Sequence, residues 1–468
     1  MKLKRLKSKI NLNKINFGIF IFVVVIFVLM IAFENFIISE NLLLAPKEVN
    51  DKVDLQITGS SRADTVTSGP APKGSAYKCV ITLKRAPFRL PSRFDIDTHN
   101  IKQGVTRIEI NLLGGDDSVD LRYHCIGIEY IINLGPGEDE ALTGDGNDVV
   151  FGGSEKDIIR TYGGADRIFG EGGDDEIEGG SDGDIIEGGD GEDIIDGQDG
   201  NDWIYGGENV DNIAGGGDVD RIYGEGGNDI VHGDDGSGEG GGDYLYGGEG
   251  EDELYGDAGN DRIYGGLDED TIQGDEGNDF IYGGEGDDPR LAGGPGIDRI
   301  YGNDGSDILW GGTEDDYLAG NKGVDRLYGD AGNDRIYGGE GDDYLEGGNE
   351  DDKIFGGENS DEIDGGHGDD IICGEGGNDF LHDLYGLDRI GGGDGIDSIV
   401  AEKQENDLVE GGNPIGLNDD EIRGCEFSPT CTTNFFESGE HLCGEGPSSG
   451  LTPSTQSGTP QPRSGSPA

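Results

Sequence analysis

From Gly135 to about Arg423 the chain repeats a nine-residue unit, Gly-Gly-x-Gly-x-Asp-x-(Ile/Leu/Val)-x in its best copies. YGGEGEDEL, YGDAGNDRI and FGGENSDEI show it, each written from one residue before the first position. The sixth-position aspartates are Asp139, Asp148, Asp157, Asp166, Asp175, Asp184, Asp193, Asp202, Asp211, Asp220 and Asp229. They resume at Asp243, Asp252, Asp261, Asp270, Asp279 and Asp288, and continue as Asp298, Asp307, Asp316, Asp325, Asp334, Asp343, Asp352, Asp361, Asp370, Asp379, Asp388 and Asp397. These are 11, 6 and 12 copies, 29 in all. A fixed nine-residue spacing carries no 3.6-residue period, and 92 glycines in 468 residues would cripple helices, so the array is all-β.

Each copy divides into a turn and a strand. The glycines supply backbone that enters left-handed regions and exposes its carbonyls, whereas the eighth residue points inward from a strand of about three residues. Ile159, Ile168, Ile177, Ile186, Ile195, Ile204, Ile213 and Ile222 hold that place, as do Ile336, Leu345, Ile354, Ile363 and Ile372. One inward side chain per nine residues is a thin core. It does not offset the entropy of ordering the turns, so something else must hold them.

The carboxylates identify what that is. Aspartates at a fixed register stack above their counterparts one coil later, and a column of like charges repels unless a cation sits within it. Carboxylate and carbonyl oxygens in a flexible turn suit Ca²⁺ better than Mg²⁺ with its strict octahedron, or Zn²⁺ with its preference for Cys and His.

The array resembles the RTX, or haemolysin-type, calcium-binding nonapeptide family. That resemblance implies a parallel β-roll, a right-handed solenoid in which two nonapeptides make one turn and copies 18 residues apart stack. It further implies Ca²⁺ between stacked turns, held by the sixth-position aspartates named above and by turn carbonyls. Asp148 would then work with Asp166, Asp157 with Asp175, Asp252 with Asp270, and Asp334 with Asp352. If sites form between copies two apart, the array holds at most about 27 ions. Several fourth positions depart from glycine: Glu155, Asp182, Asn209, Asp218, Asp268, Glu314, Glu350 and Asn359. Asn and Asp tolerate left-handed backbone, whereas Glu155, Glu314 and Glu350 should strain their turns, so ions are expected in at least half of the copies but not in all.

Outside the repeats, residues 1–33 join a basic stretch to the apolar run Phe17–Phe33, which reads as a signal peptide or an uncleaved signal anchor that places the rest of the chain outside the cell. Residues 34–54 are a linker. Residues 55–134 carry short β-like runs and two echoes of the repeat, around Asp64 and Asp117, and read as a β-rich cap at the head of the roll, with a separate small sandwich as the competing interpretation. The roll itself spans 135–424. The spacing grows to 14 between Asp229 and Asp243, which should bulge as a loop, and to 10 between Asp288 and Asp298, where Pro289 should kink the roll or remove one ion. A cysteine-containing tail, 425–445, and a Ser/Gly/Pro/Thr-rich disordered tail, 446–468, follow. Six cysteines permit three disulfides in an exported chain, with Cys79 and Cys125 placed to tie the cap.

Ninety-nine acids against 33 bases leave a formal charge of -66, which excludes nucleic acid as a partner and would drive an unliganded chain apart. Outward ninth positions carry Tyr205, Tyr223, Tyr246, Tyr264 and Tyr282, then Trp310 and Tyr328. These columns are either a ladder that stabilises the sheet or a surface for a glycan or protein partner. Arg167, Arg221, Arg262, Arg299, Arg326, Arg335 and Arg389 read as solvated residues that offset local charge. The sequence thus points to a non-enzymatic, calcium-stabilised secreted or surface protein, structural or adhesive. A calcium-dependent hydrolase or toxin-related protein is the alternative, its catalytic region within 55–134. Its support is thin, because the chain has neither His-Glu-x-x-His nor Gly-x-Ser-x-Gly, and His99 and His124 beside Asp95, Asp97 and Asp117 read as stray polar residues.

Overall fold

The computed structural model describes residues 55–433 except 61, 71–76, 86–95, 103–105, 123–126, 235–239, 402–407, 411–420 and 424–431. Each nonapeptide turns the chain through one strand, and alternate copies feed alternate sheets. In the strand Arg167–Gly172 the seventh and ninth residues face out while Ile168 is fully buried between them, the two-residue alternation of a half-buried strand. Val149–Ser154 and Ile185–Asp190 flank that strand in parallel, with Val150, Ile168 and Ile186 in register. The intervening copies, Ile158–Arg160 and Glu176–Ser181, build the second sheet with Ile159 opposite Ile177. Copies 18 residues apart therefore stack, and two copies make one coil.

The inward residues form one continuous cluster. It runs from Ile57 through Ile168, Ile222, Ile263 and Ile336 to Ile399, almost all of it fully buried. Both irregular spacings are absorbed without breaking the ladders. Across the longer one, Ile222 pairs with Leu245 and Val231 with Leu254. Across Pro289, Ile272 pairs with Leu291 and Ile281 with Ile300, because the extra residue precedes the strand Arg290–Pro295 and needs no ladder donor. At the head of the roll, Leu55–Thr58, Arg107–Asn111 and Glu129–Pro136 join the first sheet in parallel, with Ile57, Ile110, Ile132 and Val150 in one row. Asp64–Pro70, Tyr77–Arg85 and Ile96–Lys102 form an antiparallel excursion attached to the second sheet.

The expected hydrophobic segment at 17–33 lies outside the described residues, and among those described no helix is long and apolar enough to cross a membrane. The fold class is corrected accordingly: what is described is a β-roll without an anchor segment, and membrane anchoring is dropped as a partner. The described array, which turns at glycines every nine residues, builds no such helix. The disulfide expectation is corrected as well. Among the described residues no bridge joins two cysteines. Cys125 and the side chain of Cys79 lie outside the description, while Cys373 is buried in the roll and is not a free thiol.

Outward columns are ordered too. Tyr205, Tyr223, Tyr246, Tyr264, Tyr282 and Tyr301 stack with centroids 4.8 to 5.1 Å apart and planes within 13° of parallel. Trp310 and Tyr328 stack on the second sheet at 5.8 Å. The rings cover each other's faces, so a glycan meets mainly their edges. The arginines do more than offset charge: Arg221 lies 5.2 Å from the Trp203 ring and 4.9 Å from that of Tyr244, and Arg262 lies 5.1 Å from Tyr244.

Ile263→Ala should cost about 2 to 5 kcal/mol, as buried Ile-to-Ala changes do. Ile194→Ala, at a seventh position that is 53% exposed, should stay within about 0.5 kcal/mol of the parent. Urea unfolding at saturating calcium measures both, and equal losses would contradict the inward assignment of the eighth residue.

Candidate metal centres

Each repeat aspartate starts the strand half of its copy, and all 29 are between 0 and 3% exposed. Backbone hydrogen bonds hold them there: the N–H of the next residue in the coil above donates to the aspartate carbonyl, as from Phe280 to Asp261 at 2.8 Å. The side chains are tied along the same axis. Asp148 N–H donates to Asp166 Oδ1 at 2.6 Å, Asp157 to Asp175 at 2.7 Å, Asp252 to Asp270 at 2.9 Å and Asp334 to Asp352 at 2.8 Å. Links of this kind carry one column from Asp148 to Asp388 and another from Asp117 to Asp397. They cross the longer spacing, from Asp220 to Asp243 at 2.8 Å, and Pro289, from Asp279 to Asp298 at 2.8 Å.

One oxygen of each carboxylate is thus satisfied. The other is not: in Asp157, and in every repeat aspartate from Asp175 to Asp379, Oδ2 is buried and accepts no hydrogen bond. Its surroundings explain the glycine at position one. A Cβ on Gly256 would stand 2.6 Å from Asp261 Oδ2 and 2.6 Å from the Gly274 carbonyl of the next coil. On Gly152 it would stand 2.6 Å from Asp157 Oδ2 and 2.7 Å from the Gly170 carbonyl, and on Gly311 2.6 Å from Asp316 Oδ2 and 2.8 Å from the Gly329 carbonyl. An unsatisfied carboxylate oxygen and a carbonyl so placed lie less than about 5.5 Å apart, a span that one Ca²⁺ with ligands at 2.3 to 2.6 Å can nearly bridge at its widest. The donor set is all oxygen, the cradle is lined by glycine, and the free lone pairs are buried. These residues fit a hard cation.

The electrostatics agree. Burial raises Asp261 to about 8, against the Asp243 N–H that donates to it, and the charges of Asp279 and Asp243 raise it further. Burial likewise lifts Asp157 to about 8, Asp279 to about 7 and Asp148 to about 6. A buried row of carboxylates resists ionising together.

Two copies differ. Thr143 and Thr161 stand at position one beside Asp148 and Asp166, and the Thr161 hydroxyl donates to the Gly179 carbonyl. Their side chains occupy the cradle that glycine leaves open elsewhere. The fourth-position residues Glu155, Glu314 and Glu350 adopt the left-handed backbone their turns demand, with φ of 68°, 75° and 73°. The second position demands it as well, as Glu171, Gln198 and Glu225 show with φ of 71°, 72° and 75°. Sequence reasoning assigned left-handed backbone and exposed carbonyls to the glycine turn as a whole, but missed that the first-position carbonyl is the one beside the aspartate and that position one must be empty space. The near-constant glycine at position one was the available signal.

The RTX calcium-binding nonapeptide repeat family (4 copies) matches residues 142–177, 178–211, 205–239, 237–272, 264–288, 290–318, 310–345, 319–354 and 346–381, more than half of the chain. No curated protein matches it.

The raised carboxylates fix a pH dependence for metal-free protein. Their folded-state values exceed the ordinary 3.8, so their contribution to stability is fully present below about pH 4 and is lost as pH rises through about 6 to 8. Chelated protein should therefore hold more β signal in circular dichroism at pH 5 than at pH 8, and the opposite order would contradict the burial of these groups. Gly256→Ala, which drives a methyl group against Asp261 Oδ2 and the Gly274 carbonyl, should raise the calcium midpoint of folding more than Glu253→Ala does.

Proposed function

Because this chain belongs to the RTX calcium-binding nonapeptide repeat family, we propose that it is a non-enzymatic structural protein that folds into a rigid rod outside the cell when its repeats take up calcium. The calcium-binding tandem repeats are its functional part. The observation that carries the reading is the row of buried Oδ2 atoms without hydrogen bonds, which in the copies from Asp175 to Asp361 share the open face of a glycine with a carbonyl of the next coil.

In this reading the ligands are the sixth-position aspartates and the position-one carbonyls stacked above them. The ion supplies the positive charge that lets neighbouring carboxylates ionise together. The chain's own residues do the rest: the Asp N–H groups fix Oδ1, glycine keeps the cradle open, and the isoleucine row holds the coils in register. The number of ions falls below the ceiling of about 27, because Thr143 and Thr161 fill their cradles. Extracellular calcium sites commonly bind at about 10⁻⁴ to 10⁻³ M, so the rod would form after export and stay unfolded in the cytosol. A net charge of -66 keeps the metal-free chain expanded.

Calcium titration followed by circular dichroism and small-angle scattering tests this. Chelated protein at pH 8 should be expanded and poor in β-structure, and millimolar Ca²⁺ should collapse it to a β-rich rod, whereas equal Mg²⁺ should not. Replacing Asp261 and Asp279, joined at 2.9 Å in one column, by Ala should raise the midpoint and lower cooperativity, with Glu253→Ala as the outward control. A chelated chain that keeps its full β signal and compact radius at pH 8, or that folds equally well with Mg²⁺, would overturn the proposal.

A further inference from the structure

Position one is glycine in every copy from Gly170 to Gly374, and the next copy breaks the rule with a carboxylate, Asp383. This side chain is fully buried. Its Oδ1 accepts the Tyr385 N–H at 3.3 Å, while its Oδ2 accepts nothing. From Gly170 to Gly356 the atoms that crowd the face of a position-one glycine are its own copy's Asp Oδ2 and the carbonyl of the next coil. At Gly365 the carbonyl's place is taken by Asp383 Oδ2, and Asp370 Oδ2 stands 2.9 Å from the Cβ point. Asp370 Oδ2 is also buried and accepts no hydrogen bond. With Asp388, one carboxylate oxygen from each of three buried residues falls within 4.8 Å of the others.

We infer that Asp370, Asp383 and Asp388 form a three-carboxylate cation site, different in kind from the sites along the columns, that takes calcium more tightly than they do. An ordinary copy offers one unsatisfied carboxylate oxygen and a neutral carbonyl. Here a second unsatisfied oxygen, Asp383 Oδ2, replaces the carbonyl, and Asp388 adds a third carboxylate. Affinity in oxygen-ligand sites rises with the number of charged ligands, and three like charges in a dry site coexist only around a cation. The same charge favours a trivalent lanthanide over Ca²⁺, and the Tyr385 ring close by in the chain can sensitise terbium emission.

The inference rests on the calcium-roll reading, and its test separates the two. Calcium withdrawn from the folded, calcium-loaded full-length chain by graded chelator should leave one last ion held about tenfold more tightly than the rest. Asp383→Gly, which restores the repeat, and Asp383→Asn, which keeps the side chain's volume, should both lose that tight class and keep the bulk β transition. Terbium added at one equivalent should give less sensitised emission in both variants than in the parent. If the parent folds with calcium and both variants titrate as it does, the three-carboxylate site is wrong and the roll stands. If the parent shows no calcium-driven β transition, both readings fall.

Discussion

The structure depends on how a row of like charges can be buried. Two columns of aspartates run the length of the roll inside its turns, each carboxylate anchored through Oδ1 to the backbone of the coil before it. Anchoring through one oxygen leaves the other dry and without a donor. Such a group is costly in isolation and costlier when repeated every coil, which burial expresses by lifting these carboxyls toward neutrality. In the proposed calcium-loaded form a cation between coils would turn the same repulsion into attraction. One inward aliphatic residue per copy would then suffice as a core.

The glycines divide by task. At the second and fourth positions the turn needs left-handed backbone, and Glu171, Glu155 and Glu350 meet that need at a cost of about 1 to 2 kcal/mol each. At the first position the demand is for empty space, because a Cβ would collide with an aspartate oxygen of the same copy and a carbonyl of the next. Backbone strain is tolerable copy by copy, whereas a clash against rigid backbone is not. The exceptions at the first position within the array, Thr143, Thr161 and Asp383, all place polar atoms beside the repeat aspartates.

The outer surface follows the same register. Once Ile204, Ile222 and Leu245 are aligned, Tyr205, Tyr223 and Tyr246 must stand one strand spacing apart, which is the distance at which rings stack. The stacked ladder is a consequence of the inner row. The alternation of Trp203, Arg221, Tyr244 and Arg262 beside it places each guanidinium against an aromatic ring in a molecule otherwise dominated by acids.

The strict nine-residue spacing by itself determined the β class, the inward place of residues such as Ile263 and the stacked register of the aspartates, because each follows from residue type at a fixed period. The aspartates at 64 and 117 were visible as echoes, and both join the same column. Only the tertiary structure decided which oxygens meet. The Gly274 carbonyl faces Asp261, and Asp383 reaches Asp370 and Asp388, through stacking of coils that are remote in the chain. It also decided that Pro289 and the longer spacing after Asp229 leave both ladders intact, since an added residue can leave the strand without shifting its register. Local period fixes what each residue type must do within its copy, and contact between coils, which no single copy contains, fixes its partners.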